Sequence, residues 1–591
     1  MPQAGSSTKS VSISSDAPVA ARRLRWNPWL IVSGAVALGV AAPILALVAI
    51  ASAGSEGLWS HLTGSVLPVA IRDTLILLFG VGLLTALIGT GTAWLVAAHD
   101  FPGRRAFDWA LLLPLAVPTY IIAYAYLDVL HPVGPVQTAL RALLGIDSPR
   151  DFRLPDIRSM GGCIFVLGFV LYPYVYLTTR AMFLMQSANL IDVARTLGAG
   201  RRGVFLRVAL PLARPAVAIG VSLALLETLN DIGAAEFLGV RTLTVSVYTT
   251  WVTRSDLPGA AQIAIAMLVV VVLVVLLERW ARRQRRYAND AQHPRPLRRH
   301  RLRGGKGIAA AFACALPVLV GFVVPAWYLV DQTIARVRFA GISRAIPAEV
   351  LNTVTLSAVA TLLTIVAALV VVYAVRLGRG PGPRVLARAA SLGYAVPGTV
   401  LAIGLLPVIT GIEGVVDTVS TSVFGVSTGL FLLGSGAAVV YAYVARFLAI
   451  SAGSLEAGFS RVSPSIDAAA RTLGAGAGRT LFRVHVPMLR PALATGALLV
   501  FVDCMKELPA TLLLRPLGFE TLATHLYGEA IRGTYEEAAI AALLIVAVGL
   551  VPVLILVRLG VRGEAEAGMT VSARVPADRS ESRERVRLQD S

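Results

Sequence analysis

The chain has 591 residues, of which 56% are hydrophobic and 15% charged, and its mean hydropathy is +0.73. This composition excludes a soluble globular protein and is typical of a protein that lies in a membrane. The net charge of +19 does not indicate nucleic-acid binding, because the basic residues form short clusters between apolar runs, as they do in cytoplasmic loops.

The first segment, residues 1–27, is polar and predicts a disordered cytoplasmic tail. The apolar run that follows it has a basic N-terminal flank, ARRLRWNPW, and no convincing cleavage site, so it predicts an uncleaved anchor. Runs long enough to span about 30 Å of hydrocarbon recur along the chain. They are centred near residues 40, 85, 118, 172, 224, 268, 318, 362, 399, 438, 501 and 547. The sequence therefore predicts an all-α integral membrane protein with about 12 transmembrane helices.

A segment rich in arginine and proline, residues 281–305, separates the sixth run from the seventh and predicts a basic cytoplasmic linker. It divides the chain into a first six-helix repeat at 28–280 and a second at 306–562. The charged residues 563–591 predict another disordered cytoplasmic tail.

The two halves share sequence in the same order. ARTLGAG occurs at 194–200 and again at 470–476. RDTLILL from Arg72 aligns with LNTVTLS from Leu351, and RTLTVSVY in the first half aligns with FETLATHLY in the second. This self-similarity indicates a duplicated unit, and an even number of spans between the copies makes the repeats parallel. The positive-inside rule then places both termini, the linker and both copies of ARTLGAG in the cytoplasm.

Each copy of ARTLGAG predicts a helix that stops at a glycine and restarts, which is a compact protrusion between two spans. The spacing resembles the EAA signature of binding-protein-dependent ABC importer permeases, in which an acid and two alanines precede a glycine and a Leu-Pro pair ends the motif. The matching residues of the first half are Asp192, Ala194, Gly198, Leu210 and Pro211. The second half matches at Ala469, Ala470, Gly474 and Pro487, with Ala468 at the acidic position, Asp467 one place earlier and Val486 in place of leucine.

The resemblance implies that residues 190–214 and 466–490 are coupling loops that dock on a cytoplasmic ABC ATPase dimer. The residues it assigns to coupling are Asp192, Ala194, Arg195, Gly198, Leu210, Pro211, Ala470, Arg471, Gly474 and Pro487. It also implies a periplasmic or lipid-anchored substrate-binding protein and a place in the bacterial plasma (inner) membrane.

The chain itself shows no ATP site. GAGAGRT has no lysine, and GGKG at Gly304 lacks the spacing of a phosphate-binding loop. We therefore predict that the chain binds no cofactor and is not an enzyme, with ATP and Mg bound by the partner ATPase. A membrane enzyme has no support either, because His61, His131 and His485 are scattered and lie in no catalytic motif.

The span after each motif carries acidic residues, which are costly in hydrocarbon and indicate a pathway by default. Their four-residue spacing predicts two pairs that each share a helix face, with Gly233 and Pro509 breaking the helix just beyond. The predicted translocation pathway consists of Glu227, Asp231, Asp503, Lys506 and Glu507. The alternative is structural: Lys506, Asn230 and nearby backbone satisfy the acids and hold the halves together.

The segments LETLNDIGAAEFLGVRTLTVSVY and MKELPATLLLRPLGFETLATHLY closely resemble the fused, two-copy permease of ferric iron importers. The resemblance implies iron(III) as the cargo, and carboxylates suit a hard cation. Thiamine and phosphonate permeases are alternatives within the same class. An ion-gradient-driven secondary transporter is the alternative from another class.

Overall fold

The structure is a computed structural model that describes residues 28–54, 59–185, 194, 196–198, 200–283, 299–378 and 380–572. The predicted tail at 1–27, residues 284–298 of the predicted linker and residues 573–591 lie outside the described residues. Nearly all of the described chain is helical, which confirms the predicted all-α class.

The helices of the first half run in chain order as α1 Pro28–Ser52, α2 Leu67–Ala98, α3 Arg104–Ala110, α4 Thr119–Val129, α5 Pro135–Leu144, α6 Met160–Met185, α7 Leu210–Asn230, α8 Gly233–Phe237, α9 Leu243–Tyr248 and α10 Leu257–Arg283. Shorter turns are Trp59–His61, Arg201–Val204, a 3-10 turn at Leu113–Ala116, and π turns at Leu62–Val66, Phe205–Ala209 and Thr249–Thr253. The chain bends sharply before α4, because Val117 precedes a proline and is therefore extended rather than helical.

The helices of the second half are α11 Gly305–Val318, α12 Val324–Ala340, α13 Ile346–Leu377, α14 Gly382–Ala390, α15 Gly398–Phe424, α16 Ala437–Phe459, α17 Pro464–Thr472, α18 Arg490–Met505, α19 Pro509–Leu514, α20 Leu522–Arg532 and α21 Tyr535–Ser572. Shorter turns are Ala477–Thr480, Val486–Met488, a 3-10 turn at Leu392–Ala395, and π turns at Leu319–Val323 and Leu481–His485. Helix α21 continues past the predicted start of the tail at 563, because the following GEAEA stretch is rich in good helix formers.

The number of spans agrees with the number predicted from the sequence. Among the described residues, 10 helices are long and apolar enough to cross a membrane, and two bent helix pairs raise the number to 12. The bends measure 92° between Arg104–Ala116 and Thr119–Val129, and 77° between Ala477–Met488 and Arg490–Met505.

The two halves repeat each other in three dimensions as well as in sequence. In the first half the hydroxyl of Thr74 on α2 accepts a hydrogen bond from the backbone N–H of Leu243, at 2.9 Å. In the second half the hydroxyl of Thr353 on α13 accepts the same bond from Leu522, also at 2.9 Å. These four residues lie in the segments that the sequence aligns, so the internal alignment is reproduced by the fold.

The first helices of the two halves are exchanged. Helix α1 packs against α13, α14 and α15 of the second half, and Tyr441 of that half donates to the carbonyl of Gly39 at 2.7 Å. In return α12 packs against α4, and Tyr126 of the first half donates to the carbonyl of Val320 at 2.7 Å. The exchange interlocks the repeats, so each six-helix unit is completed by a helix from the other.

The end of the predicted linker is attached to the first repeat. Strand β1, His99–Asp100, follows α2 and pairs in parallel with strand β2, His300–Arg301. The carbonyl of Asp100 also accepts a hydrogen bond from Leu302, at 2.8 Å. Residues 300–302 are therefore ordered backbone rather than free linker.

Candidate functional site

The repeated heptapeptide forms a helix end in the second half. Helix α17 stops at Thr472, and Gly474 has a φ of +76°, a conformation that favours glycine. The N–H of Ala475 donates to the carbonyl of Ala470 at 2.9 Å, and the N–H of Gly474 donates to that of Arg471 at 3.0 Å. These two bonds are a Schellman motif, which satisfies carbonyls that the helix end leaves open.

The described part of the first copy shows the same turn. Gly198 has a φ of +82°, while Asp192 and Arg195 lie outside the described residues. Both copies then continue into a π turn, Phe205–Ala209 in one half and Leu481–His485 in the other. A proline follows at the start of the next helical segment, Pro211 after Leu210 in the first half and Pro487 after Val486 in the second.

The predicted coupling loops, 190–214 and 466–490, each expose two apolar side chains at equivalent positions among their described residues. Leu197 and Leu473, directly before the turn glycines, are 81% and 86% exposed. Leu206 and Phe482, in the π turns, are 59% and 65% exposed. An apolar pair exposed in the same place in both repeats is typical of a surface that meets a partner.

The displaced acid of the second motif has a structural role. Asp467 accepts hydrogen bonds from Arg376 at the end of α13, at 2.7 and 2.9 Å, and bonds to the buried His485 at 2.7 Å. It therefore ties α17 to α13 and to the π turn. The pair Arg376–Asp467 is mostly enclosed, with side chains 16% and 17% exposed.

The contacts of Asp467 predict that the stability of the protein depends on pH. Partial burial alone would raise the pKa of Asp467, but hydrogen bonds from Arg376 and His485 outweigh burial and hold that pKa below its ordinary value. Its stabilisation is therefore present above about pH 4 and is lost as the pH falls through the lowered folded-state pKa. We expect Asp467→Asn to be about 1–3 kcal/mol less stable at pH 7, because Arg376 loses a charged partner.

The measurement is thermal unfolding of the purified chain between pH 3 and pH 8. The difference between wild type and Asp467→Asn should shrink at the acidic end, while Glu456→Gln, an exposed acid on α16, should follow the wild type throughout. A gap that stays constant with pH would contradict this reading of Asp467.

The five predicted pathway residues all line one cavity of about 120 Å³, which has room for several water molecules. The cavity lies where α7 and α18 end, and residues of both repeats form its wall. The N–H of Gly398 donates to the side-chain oxygen of Asn230 at 2.9 Å, and the hydroxyl of Tyr120 donates to the carbonyl of Lys506 at 3.3 Å. These two contacts join the halves of the chain at the cavity wall.

Two of the four acids are helix caps. Helix α7 ends at Asn230, and the carboxylate of Asp231 accepts hydrogen bonds from the N–H groups of Ala234 and Ala235 at 2.8 and 3.2 Å. It also accepts a bond from the hydroxyl of Thr119. A carboxylate in this place satisfies N–H groups at the start of α8.

Glu507 caps α19 in the same way. Helix α18 ends at Met505, and the carboxylate accepts bonds from the N–H groups of Ala510 and Thr511 at 3.0 and 3.1 Å. The prediction that each acidic pair shares one helix face is therefore wrong. Helix α7 stops three residues before Gly233 and α18 stops four residues before Pro509, and both of these residues start the next short helix. The second acid of each pair therefore lies beyond the helix end.

The other two acids face the cavity from the last turns of their helices. Glu227 accepts a hydrogen bond from the hydroxyl of Tyr394, at 3.3 Å across the repeat boundary. Asp503 forms an ion pair with Lys506, with Oδ1 and Nζ 2.9 Å apart. Glu227 and Asp503 occupy equivalent positions in the two repeats, and neither caps a short helix.

The sequence reasoning missed Arg446. This side chain lies on α16, lines the cavity, and pairs with Glu507 at 3.1 Å, both groups being nearly fully buried. A single arginine inside an apolar span was a signal in its own right, because such a residue is costly unless it faces a partner or a cavity. The partner could not be read from spacing, since α16 and Glu507 belong to different spans.

Comparison with known proteins fits this architecture. Residues 86–287 match the family model for the inner membrane component of binding-protein-dependent transport systems. The Fe(3+)-transport system permease protein FbpB 2 of Haemophilus influenzae is 23% identical to the chain over 82% of this chain and 89% of that protein. The molybdenum transport system permease protein ModB of Escherichia coli is 28% identical over 32% of this chain and 82% of its own length.

Residues 86–287 belong to the binding-protein-dependent permeases of ABC importers, and the similarity to FbpB 2 extends over both repeats. A third relative, the sulfate transport system permease protein CysT of Synechocystis sp., is 25% identical over 44% of this permease and 91% of CysT. ModB and CysT thus match a part of the permease with most of their own length, whereas FbpB 2 spans both repeats. The matched part, 32% of this chain for ModB and 44% for CysT, is at most about the length of one predicted six-helix repeat.

Proposed function

We propose that the permease imports iron(III), received from a substrate-binding protein and moved inward by ATP hydrolysis in a separate ABC ATPase dimer. The main observation in favour of this cargo is the charge of the cavity, where four carboxylates face the two cations Arg446 and Lys506. With every group ionised, two negative charges are in excess, which favours a cation and opposes an oxyanion in a medium of low dielectric constant. The likeness to FbpB 2 over both repeats supports the same cargo.

The cavity also suits passage rather than storage of a metal ion. Carboxylate oxygens are ligands that hard cations prefer. Within the described ranges, no three side chains of Asp, Glu, His or Cys are grouped closely enough to hold a metal ion. A pathway that conducts must bind its solute weakly enough to release it, so dispersed acids serve a permease better than a chelating cage.

In this proposal the predicted coupling loops, 190–214 and 466–490, transmit the movements of the ATPase to the membrane spans. Both would lie in the cytoplasm with the two termini, and the exposed apolar pairs Leu197 with Leu206 and Leu473 with Phe482 would contact the ATPase dimer. ATP and Mg would be bound by that dimer, and the permease itself would hold no cofactor. A periplasmic or lipid-anchored binding protein would deliver the cargo on the other side.

An oxyanion is the second candidate cargo. ModB and CysT are named for molybdenum and sulfate transport, and Arg446 and Lys506 are groups that bind anions. Thiamine and phosphonate, the alternative cargoes considered in the sequence analysis, complete the list of solutes to compare.

The test is uptake of radiolabelled iron(III) into iron-starved cells with and without the gene, with molybdate, sulfate, thiamine and a phosphonate measured in parallel. We expect iron uptake alone to fall on deletion and to return with the gene. Loss of a different solute with unchanged iron uptake would overturn the iron assignment. Uptake that persists when the partner ATPase is deleted would instead indicate a secondary transporter.

A further inference from the structure

Both repeats contribute acids to the cavity, whereas only the second repeat contributes cations. Glu227 and Asp231 of the first repeat correspond to Asp503 and Glu507 of the second. Both cations come from the second repeat, and the equivalent positions of the first repeat carry Asn230 in place of Lys506 and Val170 in place of Arg446. Duplication alone therefore does not account for the cations.

The two cations are held in different ways. Arg446 is buried against Glu507, whose carboxylate is fixed by the start of α19. Lys506 lies past the end of α18, and the side chains of Lys506 and Asp503 are 30% and 27% exposed. Glu227 lines the same cavity as Lys506. Its ammonium group thus pairs with Asp503 and shares the cavity with Glu227, on a flexible four-carbon side chain that is partly exposed.

A lysine is an unusual choice for this chain. The sequence contains three lysines, Lys9, Lys306 and Lys506, against 50 arginines. The guanidinium group of arginine holds a carboxylate with a rigid, planar fork, whereas lysine offers a compact charge on a flexible four-carbon stem. Lys506 is the lysine that lines the cavity, where arginine would be the commoner cation of this chain.

We propose that Lys506 is a tethered counter-ion, whose ammonium holds the cation position beside Asp503 and Glu227 between transport cycles and withdraws when a cargo cation passes. This inference rests on the proposed cation cargo. A resident positive charge neutralises acids that would otherwise be unpaired in hydrocarbon, and it competes with the cargo for them. Lys506 therefore lowers the affinity of the cavity for a cation and so favours its release.

The test is titration of purified, full-length permease with terbium(III), a luminescent trivalent cation, in wild type, Lys506→Met and Lys506→Gln. We expect both variants to bind terbium(III) at least tenfold more tightly than wild type, because the competing charge is gone. Lys506→Met with Asp503→Asn should lose the gain. Lys506→Arg should bind no better than wild type. Lys306→Met, at the exposed start of α11, is the matched control and should leave binding unchanged.

Terbium(III) binding that stays equal or becomes weaker in both Lys506→Met and Lys506→Gln would overturn the inference, provided that both variants elute as folded protein. A merely structural lysine would give that result, since its loss creates no new affinity. The titration is independent of the cellular iron assay. Normal iron uptake in cells that lack the gene would overturn the proposed function, whatever the terbium(III) result.

Discussion

Replacing Glu227 with Gln and Asp503 with Asn together is expected to reduce iron(III) uptake at least tenfold while the permease stays in the membrane. These two acids face the cavity from equivalent helix ends, and their contacts are to Tyr394 and Lys506 rather than to the backbone of a short helix. The amides keep the shape and remove two negative charges, so a cation loses its electrostatic stabilisation in the cavity.

The measurement is labelled iron(III) uptake by proteoliposomes that contain the permease, its ATPase and its binding protein. Glu456→Gln, an exposed acid of α16 outside the cavity, is the control and should transport normally. Asp231→Asn with Glu507→Gln should behave differently again, because these caps hold α8 and α19, and their loss should lower thermal stability. Normal uptake in the Glu227 and Asp503 double variant would make those acids structural.

Replacing Gly198 and Gly474 with Val together is expected to uncouple ATP hydrolysis from transport. A Cβ atom at either glycine would meet nothing within 4 Å, so the effect is not a clash. Their φ angles of +82° and +76° cost a β-branched residue on the order of 1–2 kcal/mol or more, so the turn would rearrange. The exposed Leu197 and Leu473 precede these glycines directly, so their positions would change with the turn.

ATP hydrolysis and uptake, measured in the same proteoliposomes, check this prediction. Uptake should fall at least tenfold, while the ATPase keeps hydrolysing ATP. Gly200→Val with Gly476→Val is the matched control, because Gly476 has a φ of −68° and a Cβ at either glycine also meets open space. Coupled transport at the wild-type rate in the Gly198 and Gly474 variant would exclude this turn from coupling.

Several features of the molecule were predictable because they depend on local sequence. The apolar runs predicted the spans, since length and hydropathy alone decide whether a helix can cross hydrocarbon. The glycine turn of ARTLGAG was predictable because glycine is favoured at a φ near +76°. The alignment of the two halves followed from their repeated sequence, and the equivalent hydrogen bonds of Thr74 and Thr353 agree with that alignment.

The acids of the cavity and Lys506 were predictable from the sequence, whereas Arg446 and the roles of the individual acids were not. Spacing brought Glu227, Asp231, Asp503 and Glu507 to attention, yet it placed each pair on one helix face. The helices end at Asn230 and Met505 instead, and this converts Asp231 and Glu507 into caps. The exact residue at which a helix ends depends on the tertiary contacts available to its last carbonyls, which no local pattern contains.

The sequence by itself thus determined the membrane class, the twelve-span duplication, the glycine turns of ARTLGAG and the acids that line the cavity, because each rests on composition or short-range spacing. The tertiary structure alone decided that α1 and α12 exchange between repeats and that Arg446 pairs with Glu507. It also decided that the cations of the cavity come from one repeat while its acids come from both. These features join residues from different spans, and packing between helices, not the order of letters along one helix, selects such partners.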